Sequence, residues 1–166
     1  MRVLGIDPGL SATGYGIVER TGSRITPLGW GVIRSGDGSL AQRLSIIFRK
    51  ITDVLIEHAP EMVAVEDIFT GKNPRSGLKL GHARGVLILA AAKRGQPIRE
   101  YPAAAVKQAV VGRGRASKQQ VGYMVGKLLG LENEKIAEDA ADALAVAICC
   151  VLRERGLPME SGQVKT

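Results

Sequence analysis

Two short apolar runs constrain this chain more than anything else in it. Val3-Leu4-Gly5-Ile6 leads directly into Asp7-Pro8-Gly9, and Met62-Val63-Ala64-Val65 leads directly into Glu66. Each reads as a short buried strand, and the second, apolar without a break, as one covered on both faces of a sheet. Each finishes in a carboxylate where the strand meets solvent. If the two strands are neighbours, Asp7 and Glu66 face one crevice. Taken alone, Asp7 is as readily a turn former that accepts bonds from the next backbone N–H groups.

The remaining chain supplies an α/β frame around these runs. Segments 15–19 and 25–33 have strand character, and short loops join them to the first strand, so the three are expected as an antiparallel meander. Trp30, inside the third, reads as core. Ser39 is a candidate cap for a helix in which Leu40, Leu44, Ile47, Phe48, Ile51, Val54 and Leu55 recur at intervals of three and four. Ala59-Pro60 ends it. Segment 76–93 is helical in pattern but rich in small residues, and 98–101 can form another strand. Pro102 opens a helix that Gly112 terminates, and Ser117 with Gln120 makes a capping box for the next, which Gly130 ends. The last helix is expected over about 137–152, with Ala141, Leu144, Ile148 and Val151 as its buried stripe.

A chain of 166 residues, 45% of them hydrophobic, has material for one substantial core, so one domain over 1–155 and a flexible polar tail over 156–166 are expected. Charge is unevenly distributed. Residues 68–118 carry eleven Lys and Arg against a single acid, Glu100, whereas 132–142 carry five acids and one Lys. A basic tract beside an acidic cluster suits a protein that holds a polyanion with one part and metal cations with the other. Cys149 and Cys150 are adjacent in an apolar segment and read as packing residues, with no metal-ligand spacing. There is no signal-peptide pattern, and no apolar run approaches the roughly 18 residues of a membrane span, so a cytoplasmic setting without membrane association is expected.

Asp139 and Asp142 are three apart and project side by side from a helix whose later turns are nearly all apolar, so the helix packs on the sheet and brings its acids along. With Asp7 and Glu66 they make four carboxylates that a sheet and one docked helix can bring together. Bare, such acids repel one another and take up protons. Divalent cations remove the conflict. Mg²⁺ favours carboxylate oxygens, and two ions about 4 Å apart can activate a water and stabilise the leaving oxygen of a phosphodiester. No Ser/His/Asp or Cys/His set and no P-loop lysine motif offers another chemistry. The basic tract supplies the candidate nucleic-acid contacts Lys72, Arg75, Lys79, Arg84, Lys107, Arg113, Arg115 and Lys118. Lys118 lies in a helix's first turn, where a cation opposes the dipole and calls for an anionic partner. Phe69, set among Lys72, Asn73 and Arg75, is either a ring that stacks on an unpaired base or an anchor for its loop.

With these residues in place the chain resembles the RuvC family of Holliday-junction resolvases, in the ribonuclease H-like nuclease superfamily. The resemblance runs from Leu4-Gly-Ile-Asp-Pro-Gly9 and Thr13-Gly-Tyr-Gly16, through Val65-Glu66 and Phe69, Ser76-Gly-Leu-Lys-Leu-Gly81, Ala83-Arg-Gly85, Val106-Lys-Gln108 and Val110-Val-Gly112, to Asp139-Ala-Ala-Asp-Ala-Leu-Ala145. It implies a five-stranded mixed sheet flanked by α-helices, a homodimer, and paired Mg²⁺-dependent nicking of four-way DNA junctions, with two Mg²⁺ per site and Mn²⁺ as a substitute. It assigns the acidic tetrad to Asp7, Glu66, Asp139 and Asp142, phosphate or transition-state contacts to Lys107 and Lys118, and the junction wedge to Phe69. A branch-migration complex of the RuvA and RuvB type is the implied partner. A junction has two equivalent strands to cut and the chain one tetrad, so the small-residue segment 77–92 is the candidate dimer interface. Strand alternation is expected to turn Asp67 away from Glu66, and Glu138 to point about 100° from Asp139 on the helix. The competing readings are a related nuclease for RNA–DNA hybrids, a junction-binding protein without catalysis, and an actin-like ATPase, for whose second lobe the chain is short.

Overall fold

The structure, a computed structural model, describes residues 1–67 and 74–154, with the side chains of Pro74 and Arg75 excluded. Phe69, Lys72, the Arg75 side chain and the expected tail 156–166 therefore lie outside the described residues.

In chain order the elements are β1 (Arg2–Asp7), β2 (Ala12–Thr21), β3 (Arg24–Arg34), α1 (Leu40–His58), β4 (Met62–Asp67), α2 (Pro74–Lys93), β5 (Ile98–Pro102), α3 (Ala103–Val111), α4 (Lys118–Leu129) and α5 (Glu138–Arg153). The strands form one sheet in the order β3-β2-β1-β4-β5. The first three pair antiparallel, and β1, β4 and β5 run parallel, which is the mixed sheet that the resemblance implies. β2 begins at Ala12, three residues earlier than its apolar pattern, because its ladders with β1 and β3 continue through Gly14. The capping boxes at Ser39 and Ser117 both form, and Gly112 and Gly130 end their helices in the left-handed region. α2 starts at Pro74, two residues ahead of the sequence pattern.

Strand alternation sorts the core into two layers. Val3, Val18, Met62 and Ala64 face α3, α4 and α5, while Leu4, Ile6, Ile17, Val63 and Val65 face α1 and α2. α5 is the central support of the first layer: from Ala143 to Val151 its residues are completely buried, Cys149 and Cys150 among them as free thiols. Its far end is tied to β5, where the Tyr101 hydroxyl and Arg99 Nε both donate to Glu154 Oε1 at 3.2 Å. Trp30 packs, partly buried, against the same layer. No helix among the described residues is long and apolar enough to cross a membrane.

Three strand glycines set how closely α5 approaches. A Cβ at Gly5 would collide with the Ala143 carbonyl and lie 2.5 Å from the Ala147 nitrogen; at Gly14 it would overlap the Asp139 carbonyl; at Gly16 it would lie 2.6 Å from Leu144 Cγ. Glycine inside a strand marks close approach of another backbone, and here that backbone is the helix that carries Asp139 and Asp142.

Candidate active site

The site grows from the parallel pair β1 and β4. Ile6 lies opposite Val65 in their register, so Asp7 and Glu66 each follow one residue later at the strands' C-terminal ends. Both point to the α5 side, since Asp7 shares the parity of Val3 and Gly5, and Glu66 that of Met62 and Ala64. The turn after Asp7 is fixed by side chains. Thr13, wholly buried, donates its hydroxyl to the Gly9 carbonyl at 2.7 Å, and Ser35 donates to the Leu10 carbonyl at 2.6 Å. Arg43 on α1 then holds Ser35 Oγ at 3.0 Å and Ser11 Oγ at 2.8 Å.

Across from these strand ends lies the first turn of α5. Asp7, Glu66 and Asp142 line one pocket of about 160 Å³, together with Lys107 from α3 and Lys118 from α4. Asp139 is half-buried and does not reach the pocket wall, but its backbone rests on Gly14, the residue paired with Asp7 in the β1–β2 ladder. The structure thus brings three of the tetrad to one crevice, with the fourth one helical turn from Asp142.

Electrostatics of the crevice are those of an acid cluster short of positive charge. Asp7 is pushed up to about 8, by burial first and then by the nearby charges of Glu66 and Asp142, with which it competes for ionisation; its carboxyl hydrogen-bonds Glu66. Glu66 is also raised, chiefly by burial and next by Asp142, while the hydrogen bond from Asp7 and the ammonium groups of Lys118 and Lys107 act the other way. Lys118 Nζ lies 2.8 Å from Asp142 and 2.8 Å from Glu138, and those two bonds hold the ammonium well above its usual range. This is the anionic compensation that its place in the first turn of α4 called for. Glu138 takes part because it stands four residues before Asp142, hence on the same helix face, a relation that its angle to Asp139 did not reveal.

These residues fit divalent cations. Oxygen donors that cannot all ionise together in a half-buried crevice are stabilised by bound positive charge. Among the described residues no three His, Cys, Asp or Glu side chains stand in a ready-made coordinating group, and the ion pair of Asp142 with Lys118 is one physical reason.

The other basic candidates divide. Lys79, Arg113 and Arg115 are exposed. Arg84 is largely covered and forms ion pairs with Asp67, at 3.5 Å, and with Glu100. Asp67 has the parity of Val63 and Val65, on the sheet face opposite Glu66, as alternation requires. His82 sits exposed on α2. Sequence reading did not single out the roles of Thr13, Ser35, Arg43 and the three glycines. The available signal was glycine inside strand patterns at 5, 14 and 16.

Known proteins show the same arrangement of chain. The family model described as Crossover junction endodeoxyribonuclease RuvC matches residues 3–150. The protein of that name from Trichlorobacter lovleyi is 53% identical over 150 residues, covering 90% of this chain and 84% of its own. Its counterpart from Pseudoalteromonas atlantica is 47% identical over 163 residues, with 98% and 94% covered. A solved structure of Thermus thermophilus RuvC in complex with Holliday junction substrate aligns with a TM-score of 0.88 at 34% identity, over 93% of this chain and 95% of that one. Since the family model spans all five strands and reaches the buried turns of α5, the chain belongs to the RuvC family and its sheet is ribonuclease H-like.

Proposed function

We propose that this chain resolves four-way DNA junctions, as a hydrolytic endonuclease that nicks two equivalent strands symmetrically in recombination and repair. The observation that carries the reading is the convergence of Asp7, Glu66 and Asp142 on one pocket beside two lysines, in a chain of the RuvC family. Nucleases of this family are metal-dependent. The ion inferred here is Mg²⁺, two per site and replaceable by Mn²⁺, held by Asp7, Glu66, Asp142 and Asp139. When bound there, the ions supply an activated water and stabilise the leaving oxygen of the phosphodiester.

The chain's own groups do the rest. Lys107 and Lys118 place ammonium groups at the carboxylates, so a scissile phosphate meets positive charge where two anionic surfaces would otherwise repel. Val106, Val121 and Ala145 line the same pocket with apolar surface, which lowers the local dielectric and strengthens each of these interactions. Lys79, Arg113 and Arg115 extend positive charge along the arms of the junction, with Lys72 and Arg75 as further DNA contacts and Phe69 as the junction wedge that the resemblance implies.

One acidic site per chain and two strands to cut call for a homodimer with two-fold symmetry. α2 suits the interface. Leu78 and Leu89 are 64% and 53% exposed, and a Cβ at Gly81 or Gly85 between them would meet nothing within 4 Å. The unit is read as one nuclease domain over 1–155, acting in the cytoplasm with a branch-migration complex of RuvA and RuvB type. The test is cleavage of a synthetic four-way junction in Mg²⁺ beside duplex and RNA–DNA hybrid of the same sequence. Symmetric nicks in the junction alone are expected; preference for the hybrid, or binding without cleavage, overturns the reading.

A further inference from the structure

Arg84 lies in the basic tract, but its own side chain is largely covered and paired with two half-exposed acids. It stands on α2 and reaches two acids on two neighbouring strands, Asp67 at the end of β4 and Glu100 in β5. Only 20% of its side chain is exposed, and Nε is buried without an acceptor among the described residues. A guanidinium already shared between two carboxylates has less charge to offer a DNA phosphate.

Backbone pairing at the strand end that it grips is one-sided. Pairing of β1 with β4 stops at Ile6 and Val65, so Glu66 and Asp67 extend past the ladder on that side. On the other side their partners are Tyr101 and Pro102, and proline has no N–H to donate. Glu66 points from this strand end into the acidic pocket, and Asp67, one residue on and facing the other way, is the handle by which α2 holds it. The geometry points to Arg84 as a positioning residue: its bridge across Asp67 and Glu100 fixes the end of β4, and through it the Glu66 carboxylate, for metal binding. Groups that orient a ligand without touching the metal commonly change metal affinity by about 10–100-fold when removed.

This inference rests on the nuclease reading for its consequence, but it can be tested without cleavage. Mn²⁺ alone is titrated calorimetrically into the full chain without DNA, comparing wild type with Arg84→Gln, Arg84→Lys, Asp67→Asn and Glu100→Gln. Arg84→Gln is expected to weaken Mn²⁺ by about tenfold. Arg84→Lys, which keeps the charge, should recover most of that loss, and each acid variant should give part of it. Four-way junction affinity measured in Ca²⁺ should stay within twofold of wild type for all. Should Arg84→Gln lose its fold, as judged by circular dichroism, Asp67→Asn and Glu100→Gln carry the decision. Unchanged Mn²⁺ affinity in the folded variants overturns the proposal, as does a tenfold loss of junction affinity at unchanged Mn²⁺ affinity, which would make Arg84 a DNA contact. A wild-type chain that binds Mn²⁺ but cuts no junction defeats the functional reading and leaves the positioning role to the titration.

Discussion

Burial and two neighbouring acids favour the protonated form of Asp7 in a site proposed to take cations. Burial and the charges of Glu66 and Asp142 push its carboxyl up to about 8, against an ordinary value of 3.8. In the proposed metal site, cation binding competes with protonation of Asp7, and apparent affinity for the inferred Mg²⁺ should climb by up to about tenfold per pH unit below pH 8 and level off above it. Calorimetry in two buffers of different ionisation enthalpy checks this, through roughly one proton released per site at pH 7 and almost none at pH 9. Stability follows with a definite sign. Between about pH 4 and pH 8 the folded chain keeps a proton at Asp7 that the unfolded chain has lost, so stability is full below that window, falls as pH rises through it and is level beyond. Asp7→Asn removes the conflict, and without metal it should be more stable than wild type at pH 8 by up to about 5 kcal/mol in urea unfolding, with little difference at pH 4. The same variant should lose at least about a thousandfold in single-turnover junction cleavage while keeping its affinity for the junction, because a proposed metal ligand is gone and the basic surface is not.

At the level of elements, the decisive event is the seating of α5 on glycine. Gly14→Ala must displace the Asp139 carbonyl, and Gly5→Ala the Ala143 carbonyl, since neither backbone has room to give. Each should cost about 3 kcal/mol or more in denaturant unfolding, and Gly14→Ala should also depress cleavage beyond its loss of stability, because it pushes away the N-terminal end of α5, which bears Asp139 and, one turn on, Asp142. Gly122→Ala is the matching control: a Cβ there meets nothing within 4 Å inside α4, so it should stabilise by about 0.5–1 kcal/mol. This is also where sequence reading reached its limit. Apolar runs ending at Asp7 and Glu66 announced two buried strands with acids at their rims, and period-2 alternation correctly turned Asp67 aside. Capping boxes and terminal glycines bounded α1, α3 and α4 nearly to the residue. What stayed hidden depended on contacts between distant segments: the glycine bed beneath α5, the grip of Thr13 and Arg43 on the turn after Asp7, and the pairing of Glu138 with Lys118. Arg84 shows the same limit: a tally of charge does not reveal its ion pairs with Asp67 and Glu100, which lie on two different strands.

For the whole molecule, the argument turns on number. A four-way junction presents two equivalent strands, and the described residues of one chain gather the proposed acids in a single pocket, so symmetric resolution calls for two chains whose pockets are held in a fixed relation. The proposed contact is the outer face of α2, where exposed Leu78 and Leu89 flank the open positions Gly81 and Gly85. Glycines there let a partner helix come close, and the leucines supply apolar area that is otherwise left to water. Leu89→Glu should therefore leave the chain's own fold nearly untouched, since the side chain is 53% exposed, yet weaken association on the order of 30-fold or more in sedimentation equilibrium. Leu28→Glu is the control, an exposed leucine on edge strand β3, with no effect on association expected. Cleavage should change in kind as well as in rate. With two pockets no longer tied together, the second nick must wait for an independent encounter, and singly nicked junctions should accumulate where wild type passes directly to resolved duplexes. A Leu89→Glu variant that sediments as a dimer and cuts both strands together would place the two-fold contact elsewhere on the molecule.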